Sequence, residues 1–293
     1  MKTTLTALLA ICLCWGVGCS KNLSEFEETK ARAEKGDASA QYNLALMYDM
    51  GKGVEEDHKE AVRWYRKAAE QGDAMAQCNL GNMYDEGDGV PQDFEEAAKW
   101  YRKAAEQGDA DAQTNLGMLY DNGEGVSQDL QEAAKWYRKA AEQGNVVAQS
   151  NLGLMYDEGE GVAEDDKEAV KWYRKAAEQG DAMAQNSLGV MYFSGDGVLK
   201  DDKEAVKWFH KAAEQGNPVA QCNLGNMYRT GEGVLKDHVT AYAWYNIADA
   251  NGNANAKRNK SPIARFMPSE QIAEAEELIK EMIKKNPKLL NKK

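Results

Sequence analysis

The sequence is short of the residues that break chains and of the residues that do chemistry. Five prolines among 293 residues leave no proline-rich linker, which excludes polyproline recognition segments and favours continuous regular structure. Only three histidines are present, His58, His210 and His238, and no cysteine or carboxylate is spaced to complete a metal site with them. No nucleophile elbow, phosphate-binding loop or dinucleotide fingerprint occurs, so no cofactor and no catalytic centre are expected. Positive charge is also in deficit. The 36 basic and 48 acidic residues give a net charge of −12, which disfavours nucleic acid and anionic lipid surfaces as partners. The one long apolar run, Leu5 to Val17, is too short to cross a bilayer.

What is abundant is repetition. Trp-Tyr-Arg-Lys-Ala-Ala-Glu-Gln-Gly ends at Gly72, Gly108, Gly144 and Gly180, with a close relative ending at Gly216 and a worn copy at Gly252. The period is 36 residues throughout, giving six units over residues 37–252 without an insertion or deletion. A fixed period of this length marks an array of helical units that bury their apolar faces against one another. Cys78 and Cys222 occupy one column of this pattern four periods apart, out of disulfide reach, and are expected to be free thiols.

Each unit reads as two helices. Asp37, Asp73, Asp109, Asn145, Asp181 and Asn217 follow the glycines and supply an N-cap for a helix A. Ala40, Leu44, Met47 and Tyr48 share one face of it. Gly81, Gly117, Gly153, Gly189 and Gly225 recur inside it at about 1 kcal/mol each relative to alanine, which predicts that another backbone passes close by. A Gly-x-Gly-Val loop follows. The calcium-like loops Asp85 to Gly89 and Asp157 to Gly161 lack the register of an EF-hand, and a glycine-capped turn accounts for them. Asp57, Asp93, Asp129, Asp165 and Asp201, each with Glu three residues on, predict a capping box opening helix B. Ala61, Trp64, Tyr65, Ala68 and Ala69 form its buried face, with one tryptophan per unit against small alanines.

The sequence Ala-Gln-x-Asn-Leu-Gly-x-Met-Tyr, then Gly-x-Gly-Val, Asp, Ala-x-x-Trp-Tyr-x-Lys-Ala-Ala and Gly resembles the Sel-one-like repeat, a relative of the tetratricopeptide repeat. The resemblance covers residues 37 to 252 and implies an all-α superhelical solenoid of helix-turn-helix repeats whose A helices line a peptide-binding groove. Some cysteine-rich members of that family are linked to penicillin binding or hydrolysis, but this chain lacks their paired cysteines. Residues 19–36 are expected to hold an N-terminal capping helix, and residues 253–293 a C-terminal capping helix, opened at Pro268, and a mobile tail.

At the N-terminus, Lys2, the apolar run and Gly16-Val17-Gly18-Cys19 resemble a bacterial lipoprotein signal. That resemblance implies removal of residues 1–18, a lipid on Cys19 and a place in the cell envelope, with Ser20 favouring the outer membrane. An ordinary cleaved signal with Cys19 incidental is the alternative.

The face of helix A turned from its core is the candidate site. Asn43, Asn79, Asn115, Asn151 and Asn223, interrupted by Ser187, form a ladder of poor helix formers. It serves either to bond a neighbouring helix's backbone or to grip a ligand main chain, since an amide both donates and accepts. Asp49, Asp85, Asp121 and Asp157 form an acidic column that becomes Phe193 and Arg229. Leu46, Met118, Leu154 and Val190 form an apolar column where a solvated helix would carry charge. These columns point to a non-enzymatic adaptor holding another protein or peptide, basic at one end and apolar in the middle. A cell-wall or β-lactam-related enzyme and a purely mechanical spacer are the competing readings.

Overall fold

The computed structural model describes residues 25–290, so the signal segment and Cys19 lie outside the described residues. The described residues form fifteen α-helices and one 3-10 turn, with no strand among them. Helix α1 covers residues 25–34. The repeats then contribute A and B helices in alternation: α2 (Ala38–Asp49), α3 (His58–Glu70), α4 (Ala74–Glu86), α5 (Phe94–Glu106), α6 (Ala110–Asn122), α7 (Leu130–Glu142), α8 (Val146–Glu158), α9 (Asp166–Glu178), α10 (Ala182–Ser194), α11 (Asp202–Glu214), α12 (Pro218–Thr230) and α13 (His238–Ala250). After them come α14 (Ala254–Ala264), α15 (Ser269–Lys285) and the turn Pro287–Leu289. The chain divides into two compact units, one ending at Ala140 and one beginning at Ala141.

Caps fix the helix boundaries. The Asp37 side chain accepts from the Ala40 amide at 2.9 Å, and its counterparts down to Asn217 do the same. Asn253 continues the column, so the pattern persists into α14. The B helices are capped at Asp57, Asp93, Asp129, Asp165, Asp201 and Asp237. The expected capping box is only half made. The Asp57 amide is already bonded to the Tyr48 carbonyl at 2.9 Å, so Glu60 has no donor to reach back for and pairs with Arg63 instead. Glu96, Glu132, Glu168 and Glu204 likewise pair with the lysine three residues on.

Within each repeat Leu44 and its counterparts Leu80, Leu116, Leu152, Leu188 and Leu224 are fully buried, as are the alanines of helix B. The glycine column inside helix A needs correction. A Cβ at Gly81 would lie 2.5 Å from the Tyr101 ring, one at Gly153 2.7 Å from Tyr173, and one at Gly189 2.7 Å from Phe209. What passes close is the aromatic ring of helix B rather than a backbone. Glycine lets this ring close onto helix A at full packing density.

At the ends, Phe26 and Ala33 of α1 join the first core, with Phe26 edge-on to Tyr48. Helix α15 packs on α13, and Ile279 and Met282 reach the core of the last repeats. The tail expected to be mobile is docked as far as Leu290. Leu289 is 3% exposed, its carbonyl accepts from Gln221 and Asn251 at 2.9 and 2.7 Å, and Asn286 donates to the Glu214 carbonyl.

Candidate interaction face of the A helices

The acidic column closes helix A against helix B. The hydroxyls of Tyr65, Tyr101, Tyr137 and Tyr173 donate to Oδ2 of Asp49, Asp85, Asp121 and Asp157 at 3.1, 3.1, 3.2 and 3.3 Å. In the fifth repeat both partners change at once, to Phe209 and Phe193. In the sixth, Arg229 Nε donates to the Tyr245 hydroxyl at 3.3 Å, and that hydroxyl donates to Asn226 at 2.7 Å. A carboxylate near a helix C-terminus costs about 0.3–1 kcal/mol against the dipole, whereas a hydrogen bond to a charged acceptor contributes about 1.5–3 kcal/mol. The bond therefore explains why four repeats keep an aspartate there. Burial raises the Asp85 and Asp157 carboxyls above the usual range, and the tyrosine bonds draw them partly back. Burial also pushes the Tyr65, Tyr101 and Tyr173 phenols far up, which keeps them donors.

His58 is held between two carboxylates. Its Nδ1 lies 3.0 Å from Asp49 Oδ1 and its Nε2 3.3 Å from Glu56, because the first residue of α3 is brought over the end of α2. The bond to Asp49 raises the imidazole pKa.

The asparagine column faces side chains rather than backbone. Asn79 Nδ2 donates to the Tyr65 hydroxyl at 3.3 Å, Asn115 to Asn82 Oδ1 at 3.0 Å, and Asn223 to Asn186 Oδ1 at 3.0 Å. Each partner belongs to the preceding repeat. Asn259 of α14 extends the series to Asn226 at 3.1 Å. Ser187 stands beside the Tyr173 hydroxyl, and Asn151 is half-buried in the same register. Asn43, which follows only α1, is exposed and lines a cleft with Leu46, Met50, Glu25 and Thr29. The ladder thus joins consecutive repeats through half-buried amides.

The apolar column is open to solvent. Met118, Leu154 and Val190 are each about two-fifths exposed, and Leu46 is half-buried against the first core. Asn82 and Asn226 hold the same position in the second and sixth repeats. Two turns earlier on the same helix face stand Met75, Val147, Met183 and Val219, all exposed, with Met183 at 67%. The earlier row escapes a single-column reading and emerges only when positions i and i+7 are taken together. In the unit beginning at Ala141 the two rows place Val147 and Leu154 on α8, Met183 and Val190 on α10, and Val219 on α12.

Two further columns do structural work that sequence reasoning passed over. Gln41, Gln77, Gln149 and Gln185 are buried, and each Nε2 donates to a carbonyl of the preceding B helix while its Oε1 accepts from Gln71, Gln107, Gln179 or Gln215. The signal was in the sequence: a buried-face glutamine in every A helix matched to another just before the glycine. On the outer side of helix B, Lys67, Lys103, Lys139, Lys175 and Lys211 hold their ammonium groups 3.7–3.8 Å from the ring centroids of Trp64, Trp100, Trp136, Trp172 and Trp208. Lys covers Trp there, which closes the outer side of rings that are buried in the core. Cys78 and Cys222 are buried free thiols, and burial pushes both above the usual thiol range.

Comparison with known proteins agrees with this geometry. A family model described as the Sel1 repeat matches residues 38–73, 74–109, 110–145, 146–181, 182–217 and 218–253. Among solved structures, a Sel1 repeat protein from Oxalobacter formigenes is 37% identical, with 82% of this chain and 96% of that one covered and a TM-score of 0.70. A protective antigen present in uropathogenic Escherichia coli strains, displaying an SLR fold, is 30% identical over 91% of this chain and 81% of its own, with a TM-score of 0.48. A comparison with curated proteins found no match.

Proposed function

The chain belongs to the Sel1 repeat family, a group of generally non-catalytic helical scaffolds typical of protein–protein interaction, and from that premise we propose that it is an envelope adaptor. In this reading it holds a segment of another protein against the outer face of its A helices. The observation that carries it is the double row of exposed apolar side chains, Val147, Leu154, Met183, Val190 and Val219, on consecutive A helices. A solvated helix face would carry charge there, and a contiguous apolar patch rimmed by polar groups marks an interaction surface. Asn151, half-buried beside it, offers an amide of the kind a peptide main chain needs to replace its water.

A photo-cross-linking residue placed in intact cells at position 154 or 190 should trap one and the same partner, whereas position 171, on the outer side of α9, should not. Met183→Asp combined with Val190→Asp should abolish the adduct formed from position 154. Adducts of equal yield and identity from position 171 would show that the A face is not the binding surface. Attachment through a lipid on Cys19 is part of the proposal, since the net charge offers no other hold on a membrane. Cys19→Ala should move the protein to the soluble fraction, and a variant that still sediments with membranes would remove the anchor.

A further inference from the structure

The face that carries the apolar rows changes sign along the unit that begins at Ala141. At the last turn of each A helix, one register holds Asp157 on α8, Phe193 on α10, Arg229 on α12 and Arg265 at the end of α14. Glu158 and Glu160 flank the acidic end, both exposed, and Arg258 lies two turns before Arg265 on α14. All three arginines are exposed, and among the described residues none lies within ion-pair distance of a carboxylate. Their recorded contacts are neutral: Arg229 meets the Tyr245 hydroxyl and Arg258 the Asn255 side chain. Uncompensated guanidinium groups in a protein of net charge −12 sit at one edge of an apolar strip whose opposite edge is acidic. Arginine presents a planar fork that matches a carboxylate with two parallel hydrogen bonds.

We propose that the α12–α14 end of this face is an anchor for carboxylates, and that the partner is an extended segment of fixed charge order. It carries a basic residue over Asp157, an apolar residue over Val190, beside the half-buried Phe193 ring that Lys200 covers, and acidic residues over Arg229 and Arg265. This rests on the reading of the A face as the binding surface. The spacing follows from geometry. Packed helices lie about 8–10 Å apart and an extended chain advances about 3.3 Å per residue, so one A helix corresponds to roughly three residues. The segment therefore reads basic, apolar, acidic, acidic at intervals of three. Contacts to its main chain are indifferent to sequence, which leaves the charged ends to set its position along the face.

The probe is a fluorescent ten-residue peptide, Lys-Ser-Leu-Leu-Leu-Ser-Glu-Ser-Ser-Glu, compared with the same peptide carrying Gln for both Glu. Anisotropy titrations against the wild-type chain should show the Glu peptide binding about tenfold more tightly at low salt, with the preference shrinking as salt rises. Arg229→Glu combined with Arg265→Glu should reverse the preference while leaving the circular dichroism melt unchanged. Met183→Asp combined with Val190→Asp should weaken both peptides. Equal affinity of wild type for the two peptides, both still lost on the Met183 and Val190 changes, overturns the carboxylate anchor and leaves the binding face standing. Peptides that bind wild type no better than the Met183 and Val190 variant overturn both.

Discussion

The couple between Tyr173 and Asp157 can be replaced by one the protein already uses. Tyr173→Phe removes the donor from a half-buried carboxylate, and Asp157→Phe strands a buried phenol beside Ser187. A hydrogen bond to a charged group contributes about 1.5–3 kcal/mol. At 3.3 Å and with Asp157 only half-buried, the low end applies, so each single change should cost about 1.5 kcal/mol. The double variant recreates the Phe193 and Phe209 pair of the following repeat and should cost less than the sum, with a coupling of about 1 kcal/mol, inside the range seen for residues in contact. Because repeat arrays open locally, the cycle is best read by native-state hydrogen exchange on α8 and α9 together with urea melts. Costs that add within 0.3–0.5 kcal/mol, the spread expected of independent sites, would refute the idea that the acidic column exists to receive the phenol.

The same couple makes a pH prediction. Burial holds the Asp157 carboxyl above its ordinary value, and the Tyr173 hydroxyl pulls it down. The folded state therefore binds a proton more readily than the unfolded chain, so this residue's contribution to stability grows as pH falls through its folded pKa towards the ordinary value of 3.8. Tyr173→Phe should raise the carboxyl further and enlarge that gain. A carbon-detected NMR titration of Asp157 that moves downwards instead would contradict the assigned bond.

Three other outcomes are expected. Gln185→Leu should cost about 2–4 kcal/mol in urea melts, because the Ala177 carbonyl loses its donor and Gln215 its acceptor in a site that is 4% exposed. Leu289→Ala should cost about 2–5 kcal/mol as a buried leucine truncation and speed hydrogen exchange in α11 and α13, whereas a mobile tail would leave both unchanged. His58 is raised by its bond to Asp49, so its stabilising contribution is complete below the ordinary value of 6.5 and is lost as pH rises through the higher folded pKa. Asp49→Asn should lower the imidazole pKa measured by proton NMR, and an unchanged value would place the two groups out of contact.

How far the sequence carried these conclusions depends on the range of the interaction concerned. Helix caps, the leucine and tryptophan columns and the unit boundaries are set within a few residues, and periodicity alone placed them. The Gly81 column was read correctly as a close approach and wrongly as backbone, because a missing Cβ reports the distance of a neighbour and not its identity. The tail was misjudged because Leu289 and Leu290 lie beyond Pro287, where periodicity has no template, and their partners Gln221 and Asn251 are far back in the chain. The candidate face is the instructive case. Asp49, Asp85, Asp121 and Asp157 read as groove acids on their own column, yet the sequence also holds the means to see their second role. Where aspartate becomes Phe193, the tyrosine 16 residues later becomes Phe209. A paired change inside one chain is evidence of contact of the same kind that two related chains would offer. Once that bond is granted, the acidic column is anchored by the fold in four repeats, gives way to the Phe193 and Phe209 pair in the fifth, and in the sixth yields to Arg229, which keeps a bond to the Tyr245 hydroxyl. The sign change along the face then follows from an exchange of the group that meets the tyrosine hydroxyl, and because Arg229 is exposed the donors it does not spend on Tyr245 can face a partner.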